Sequence, residues 1–176
     1  MKIAAQYIFT NCEAPLKNGF IEFEADTIIK ISQFKSGIQE SYEMIFFNGI
    51  IIPCLIQIFK VLSDSDDTFI KLSASDIISQ YARDYCFEKQ PTIIYKSDAL
   101  LSQQEIFGQL KQVNDHFEKY NFEEILKWFT IIPASLCGSE EGKIAINVKP
   151  NFVGIDAFNF ETMTTTTASK LNEFKF

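Results

Sequence analysis

The chain is poor in histidine, the side chain that most often binds transition metals and whose ordinary pKa suits acid–base chemistry near neutral pH. It has 176 residues but a single histidine, His116. No Ser-His-Asp set can be assembled around it, and we expect it to be a surface residue late in a helix. The cysteines Cys12, Cys54, Cys86 and Cys137 are widely spaced and form no C-x-x-C pair. This spacing excludes the common zinc-site patterns and predicts free, mostly buried thiols in a cytoplasmic protein.

Positive charge is also scarce. Sixteen Lys and Arg stand against 23 Asp and Glu, which gives a net charge of -7 and a pI near 4.8. Nucleic acids and anionic membrane surfaces are bound by basic faces, so neither is expected as a partner. The apolar run around Leu55 is broken by Pro53 and Gln57 and is too short to span a bilayer. The N-terminus lacks the apolar run of a signal peptide, so we expect a cytoplasmic location.

Apolar residues are plentiful. They make up 47% of the chain, charged residues make up 22%, and there are 18 Phe. This composition is typical of a globular protein with a substantial core. The number of Phe side chains leaves some available for an interface.

The first 52 residues form a predicted β-rich block. The expected strands are Ile3–Thr10, Phe20–Glu24, Thr27–Ile31, Glu43–Phe47 and Ile50–Ile52. Asn18-Gly19, Ala25-Asp26 and Asn48-Gly49 are the turn signals between them. Short strands at this spacing favour a meander in a small sandwich or open barrel.

The middle of the chain is predicted to be helical. Helices are expected near Ser75–Glu88, from Ser102 to about Tyr120, and from Asn121 onward. Ser102 with Glu105 forms a capping box. The helix from Asn121 is expected to be interrupted by Pro133, with Gly138 as its C-cap. The expected strands here are Leu55–Val61, which the polar loop Ser63–Asp67 ends, and Thr92–Tyr95.

The C-terminal segment returns to β structure. Ile144–Val148 and Asn151–Ile155 are the predicted strands. Ser169–Phe176 is either a last strand or a frayed end. The ends of the chain are therefore β-rich and the middle is mainly helical.

Several segments, taken in order, resemble one enzyme family. They are the β-rich block ending in Gly49-Ile50-Ile51-Ile52-Pro53, then Ser97–Ser102, Asn121–Thr130 and Gly142-Lys143-Ile144-Ala145. Together they are similar to the metal-dependent amidohydrolases. In that family both chain ends pair into a small β-sandwich, and a catalytic (β/α)8 barrel is inserted between them.

The resemblance implies an α+β fold with a large deletion. It implies a β-sandwich domain from residues 1–53 plus 142–176, and a helical segment from 54–141. A complete barrel needs roughly 250 residues, so barrel strands 2 to 7 cannot be present between Val61 and Asp98. What the resemblance leaves is a two-stranded parallel remnant, Leu55–Val61 and Thr92–Tyr95, joined by a helix.

The resemblance also implies that the metal site is lost. The family's His-x-His positions fall on Phe59 and Val61, which cannot bind a metal. Asp98 matches the aspartate of the last barrel strand, and without companion ligands it is expected to cap a turn or face solvent. We therefore expect no metal, no cofactor and no catalytic residue, with Asp98 as a vestige. A cleft would be lined by Gln57, Phe59, Tyr95 and Asp98.

The functional hypothesis that follows is a pseudoenzyme that acts through protein–protein contact. The alternatives are a small-molecule binder that uses this cleft, and a residual hydrolase of C–N bonds. Removal of most of a barrel would expose strand edges and apolar surface in the middle segment. A homodimer that buries part of that segment is therefore predicted, although a different protein could take the same role.

Overall fold

The computed structural model of the protein describes residues 1–38, 43–57, 59–63, 66–71, 102–117, 120–136, 139 and 141–174. The strands are β1 (Lys2–Ile8), β2 (Leu16–Glu24), β3 (Thr27–Gln33), β4 (Met44–Pro53), β5 (Phe59–Ser63), β6 (Asp66–Lys71), β7 (Phe152–Asp156) and β8 (Leu171–Glu173). The helices are α1 (Gln103–His116), α2 (Phe122–Trp128) and α3 (Ile131–Leu136). The predicted α+β class is confirmed.

The chain divides into two compact units. Unit 1 consists of Met1–Cys54 with Lys143–Phe176, and unit 2 is Leu55–Gly142. The predicted helix near Ser75–Glu88, the predicted strand Thr92–Tyr95 and the predicted cap Gly138 lie outside the described residues. None of the described helices is long and apolar enough to cross a membrane.

Unit 1 is built on a six-stranded sheet in the order β3-β2-β1-β4-β7-β8. β1 and β4 run parallel, and the other neighbouring strands run antiparallel. Because β4 pairs with both β1 and β7, strands from the two ends of the chain lie in one sheet. The β-rich chain ends predicted from the sequence therefore meet in one sheet.

The core of unit 1 is centred on β1. Ile3, Ala4 and Ala5 have no exposed surface. Since consecutive strand residues point to opposite faces, β1 is covered on both sides. The buried core cluster consists of Ile3, Ala5, Ile8, Ile21, Phe23, Ile28, Ile51, Ile144 and Phe152.

The sandwich part of the prediction is not confirmed, because the described strands of unit 1 form one sheet. The expected strand Ile144–Val148 is wrong. Its backbone instead bonds to strand ends, with the Ile144 N–H donating to the Thr10 carbonyl at 3.0 Å and the Asn147 N–H donating to the Ile28 carbonyl at 2.8 Å. The segment thereby places Ile144 in the core cluster and packs Val148 against that cluster.

Both Asn-Gly pairs lie inside strands, so the turns predicted there are wrong. Asn18 has a φ of 51° within β2, and a Cβ on Gly19 would lie 2.9 Å from the Ile8 side chain. Asn48-Gly49 forms a bulge in β4, where β4 advances three residues while β1 advances two. β4 therefore continues through this position, because its neighbour is the parallel strand β1 and not a hairpin partner.

The Phe47 ring occupies space that only glycine leaves free. A Cβ on Gly154 would lie 2.6 Å from this ring, and a Cβ on Gly49 would collide with the Ile155 carbonyl oxygen. Phe174 closes the other side, with its ring centroid 5.3 Å from that of Phe47. The bulge, the glycines and the two rings therefore form one packed arrangement at the β4–β7 junction.

Unit 2 departs from the predicted barrel remnant. The strand expected at Leu55–Val61 is β5, Phe59–Ser63, and its described neighbour is β6, which pairs with it antiparallel. β6 begins at Asp66, inside the expected polar loop. The parallel partner predicted for β5 lies outside the described residues. The described pairing is therefore that of a hairpin and not of a parallel crossover.

The helix starts in unit 2 agree with the sequence. Ser102 with Glu105 and Asn121 with Glu124 form reciprocal capping boxes at α1 and α2. The predicted break at Pro133 is misplaced, since α2 ends at Trp128 and α3 begins at Ile131. Pro133 lies in the first turn of α3, where its missing N–H has no helical partner to lose.

Gly49→Ala should destabilise the protein by about 1–3 kcal/mol, because its methyl group meets a backbone oxygen that cannot rotate away. Denaturant unfolding followed by circular dichroism measures the change. Gly108→Ala is the matched control. A Cβ there meets nothing within 4 Å on α1, so a gain of about 0.5–1 kcal/mol is expected. Equal effects of the two substitutions would contradict the bulge geometry.

Candidate functional site

The residues expected to line a cleft are only partly described. Tyr95 and Asp98 lie outside the described residues. Phe59 and Val61 are in β5, where their backbones face Lys71 and Phe69 of β6. Both positions at which the sequence resemblance expects His-x-His therefore belong to an antiparallel hairpin.

The backbone leading to Gln57 is held by three hydrogen bonds. The Gln103 carboxamide, in the first turn of α1, accepts from the Leu55 N–H at 2.8 Å and donates to the Leu55 carbonyl at 2.7 Å. The Ile56 N–H donates to the Phe129 carbonyl at 2.7 Å. The Gln103 side chain thus takes the place of a neighbouring strand. The N–H and carbonyl of Leu55 are both hydrogen-bonded although Leu55 lies outside the described strands.

The Gln57 side chain is buried without hydrogen-bond partners among the described residues. It is 2% exposed, and neither its amide nitrogen nor its amide oxygen has a hydrogen-bond partner among the described residues. A buried amide without partners costs several kcal/mol, on the order of 2–7. Gln57 is therefore the described residue of the expected cleft with unused hydrogen-bonding capacity.

The single histidine lies where the sequence predicts. His116 is exposed in the last turn of α1. Beside it, Phe117, Tyr120 and Trp128 meet edge to face, with ring centroids 5.0–5.6 Å apart. This aromatic group joins α1 to α2, so its role is packing.

Cys12 and Cys54 are not in disulfide bonds, as predicted. Cys12 is exposed, and the expectation of burial is wrong for it, although its Sγ lies 3.7 Å from the Ile144 carbonyl oxygen. Within the described part of the chain, no three His, Cys, Asp or Glu side chains are grouped so that they could hold a metal ion.

Unit 1 carries a surface feature that sequence reasoning missed. β7 pairs with β4 only from Gly49 to Pro53, so β4 has a described strand neighbour on its β1 side alone along Met44–Phe47. Ile45 is 50% exposed and Phe46 is 43% exposed. Met1, Glu43, Met44 and Ile45 line an open groove of about 510 Å³ where β4 begins.

The composition of this segment does not predict an edge. Met44-Ile45-Phe46-Phe47 is apolar on both faces, which is typical of a central strand. The short β7 leaves the start of that strand without a second described neighbour. The length of β7, and not the composition of β4, therefore creates the edge.

The comparisons with known proteins add little to this geometry. No protein-family model matches the chain, and no curated protein matches it. Among solved structures, part of the chain is similar to the N-acetyl-D-glucosamine-6-phosphate deacetylase of Mycobacterium smegmatis, with 18% identity and a TM-score of 0.26. The match covers 32% of this chain and 14% of that chain. A superposition this loose carries no argument about fold or activity.

Gln103→Ala should cost about 2 kcal/mol, because it leaves the N–H and the carbonyl of Leu55 without their partners. Gln112→Ala removes the same side chain from an exposed position of α1, so it should change stability by less than about 0.5 kcal/mol. Denaturant melts of the two variants provide the comparison. A Gln103→Ala protein as stable as the control would mean that the hydrogen bonds between Gln103 and Leu55 contribute nothing to stability.

Proposed function

We propose that this protein is a non-catalytic relative of the metal-dependent amidohydrolases that acts through protein–protein contact. The proposal depends mainly on one observation: the chain has a single histidine, and it is exposed at the end of α1. Water activation in the family requires several ligands around one metal. Phe59 and Val61 stand at the two positions where the resemblance expects imidazoles, and neither side chain has a lone pair to give.

The contact role is supported by the open edge of β4. Unpaired backbone groups next to exposed apolar side chains favour the binding of another chain. Phe46 combines these properties, and the exposed side chain of Ile45 lies next to it in the strand. Binding through this edge requires no acid–base chemistry and no metal.

The purified protein should contain no stoichiometric zinc, iron or manganese by elemental analysis. Asp98→Asn should change stability by less than about 0.5 kcal/mol, because a lone carboxylate has no metal to hold. About one metal ion per chain, lost on Asp98→Ala, would contradict the proposal and favour a residual hydrolase of C–N bonds.

A second candidate function, small-molecule binding, is favoured by Gln57. Its carboxamide is buried, and both its donor and its acceptor lack described partners. A ligand that presents an adjacent acceptor and donor, as an amide group does, would satisfy both atoms.

If Gln57 anchors a ligand, the native protein should release a small molecule on denaturation, and mass spectrometry should detect it. Gln57→Met keeps the volume but removes both polar atoms, so this variant should be purified without the molecule and should be less stable. This candidate would be excluded if no molecule were released and the Gln57→Met protein were more stable than the native one. If no ligand binds, removal of an unsatisfied buried amide should raise the free energy of unfolding.

A further inference from the structure

The edge of β4 has a defined set of free backbone groups. The Lys2 N–H donates to the Glu43 carbonyl at 3.2 Å, so that carbonyl faces β1. Along a strand, hydrogen-bonding groups alternate between the two sides. The N–H and carbonyl groups of Met44 and Phe46 therefore point away from β1, toward the side where the described residues provide no strand.

The other sheet edges are protected against self-pairing. β3 has Lys30 at its centre, with its Nζ 5.6 Å from the centroid of the Phe20 ring, so a second copy would bring two lysines together. β8 has three residues and ends at Glu173. Along Met44–Phe47 there is neither a charge nor a proline.

We propose that the β4 edge of unit 1 binds the β4 edge of a second copy of this chain, antiparallel and with a two-fold axis through Ile45. This names the partner for the contact role proposed above and rests on that role. In this register Met44 faces Phe46 of the second copy, and the outward groups form about four backbone hydrogen bonds. Ile45 faces its own counterpart in a closely spaced pair that does not exchange hydrogen bonds.

No like charges meet in this register. Glu43 faces Phe47 of the second copy, so the two Glu43 carboxylates lie at opposite ends of the pairing. A register centred on Phe46 would bring Asn48, at the bulge, opposite Met44 and interrupt the ladder. The Ile45-centred register therefore keeps like charges apart and avoids the bulge.

The paired segment is short, so the interface needs further apolar area. The side chains of Ile45 and Phe46, which are 50% and 43% exposed, supply such area on the two faces of the strand. Interfaces at the small end of the usual range are weak, so we expect a dissociation constant on the order of 10 µM. The dimer should then form and dissociate within ordinary laboratory concentrations.

Light scattering on a sizing column, from about 1 to 200 µM, tests the self-association. Ile45→Lys should weaken the dimer at least about tenfold, because it places two ammonium groups opposite each other. Ile146→Lys is the matched control, since Ile146 is 51% exposed and Ile45 is 50% exposed. It should leave the dissociation constant unchanged.

The register has its own test. Ile45→Glu should also dissociate the dimer, but a mixture of Ile45→Lys and Ile45→Glu chains should form heterodimers, seen by native mass spectrometry. Rescue also shows that both variants fold. A monomer at all concentrations, an unaffected Ile45→Lys dimer, or variants that dissociate without rescue in the mixture would overturn the inference. Metal content is measured separately: a metal-containing dimer contradicts the non-catalytic proposal alone, and a metal-free monomer contradicts the dimer alone.

Discussion

The parallel pairing of β1 with β4 is the constraint on which the rest of unit 1 depends. β1 carries the N-terminal strands β2 and β3 on its other side, and β4 carries β7 and β8. If this pairing were lost, the sheet would separate into an N-terminal and a C-terminal part. Burial of apolar residues stabilises the β1–β4 pairing, because Ile3 and Ala5 of β1 and Ile51 of β4 belong to the same buried cluster. A parallel pair buried in this way must be long-range, since the strands are joined by a crossover.

The same pairing determines where the sheet is incomplete. The bulge at Asn48-Gly49 lies next to the point where the pairing with β7 begins, and Phe47 packs into the space left by Gly49 and Gly154. Beyond the bulge, toward Met44, β4 keeps only β1 as a described neighbour. The residues that close the core at one end of β4 thus leave an apolar edge at the other.

The sequence predicts features that arise from short-range patterns. The capping boxes of α1 and α2 depend on residues three apart, and the shared sheet follows from β-rich chain ends. Asn18-Gly19 and Asn48-Gly49 were misleading, because an Asn-Gly pair indicates φ freedom but not whether a long-range partner keeps the strand extended. The amide of Gln103 on Leu55 and the open edge of β4 arise from tertiary contacts, so no local pattern could reveal them. Exposed His116 was predictable from composition and helix position alone.

Amide hydrogen exchange along β4, resolved by residue, tests the account most directly. The amides of Ile45 and Phe47 face β1, so they should be protected at every protein concentration. The amides of Met44 and Phe46 face the open edge, so they should exchange rapidly in dilute solution and become protected as concentration rises. Protection of Met44 and Phe46 that does not change with concentration, or rapid exchange at Ile45 and Phe47, would contradict the account.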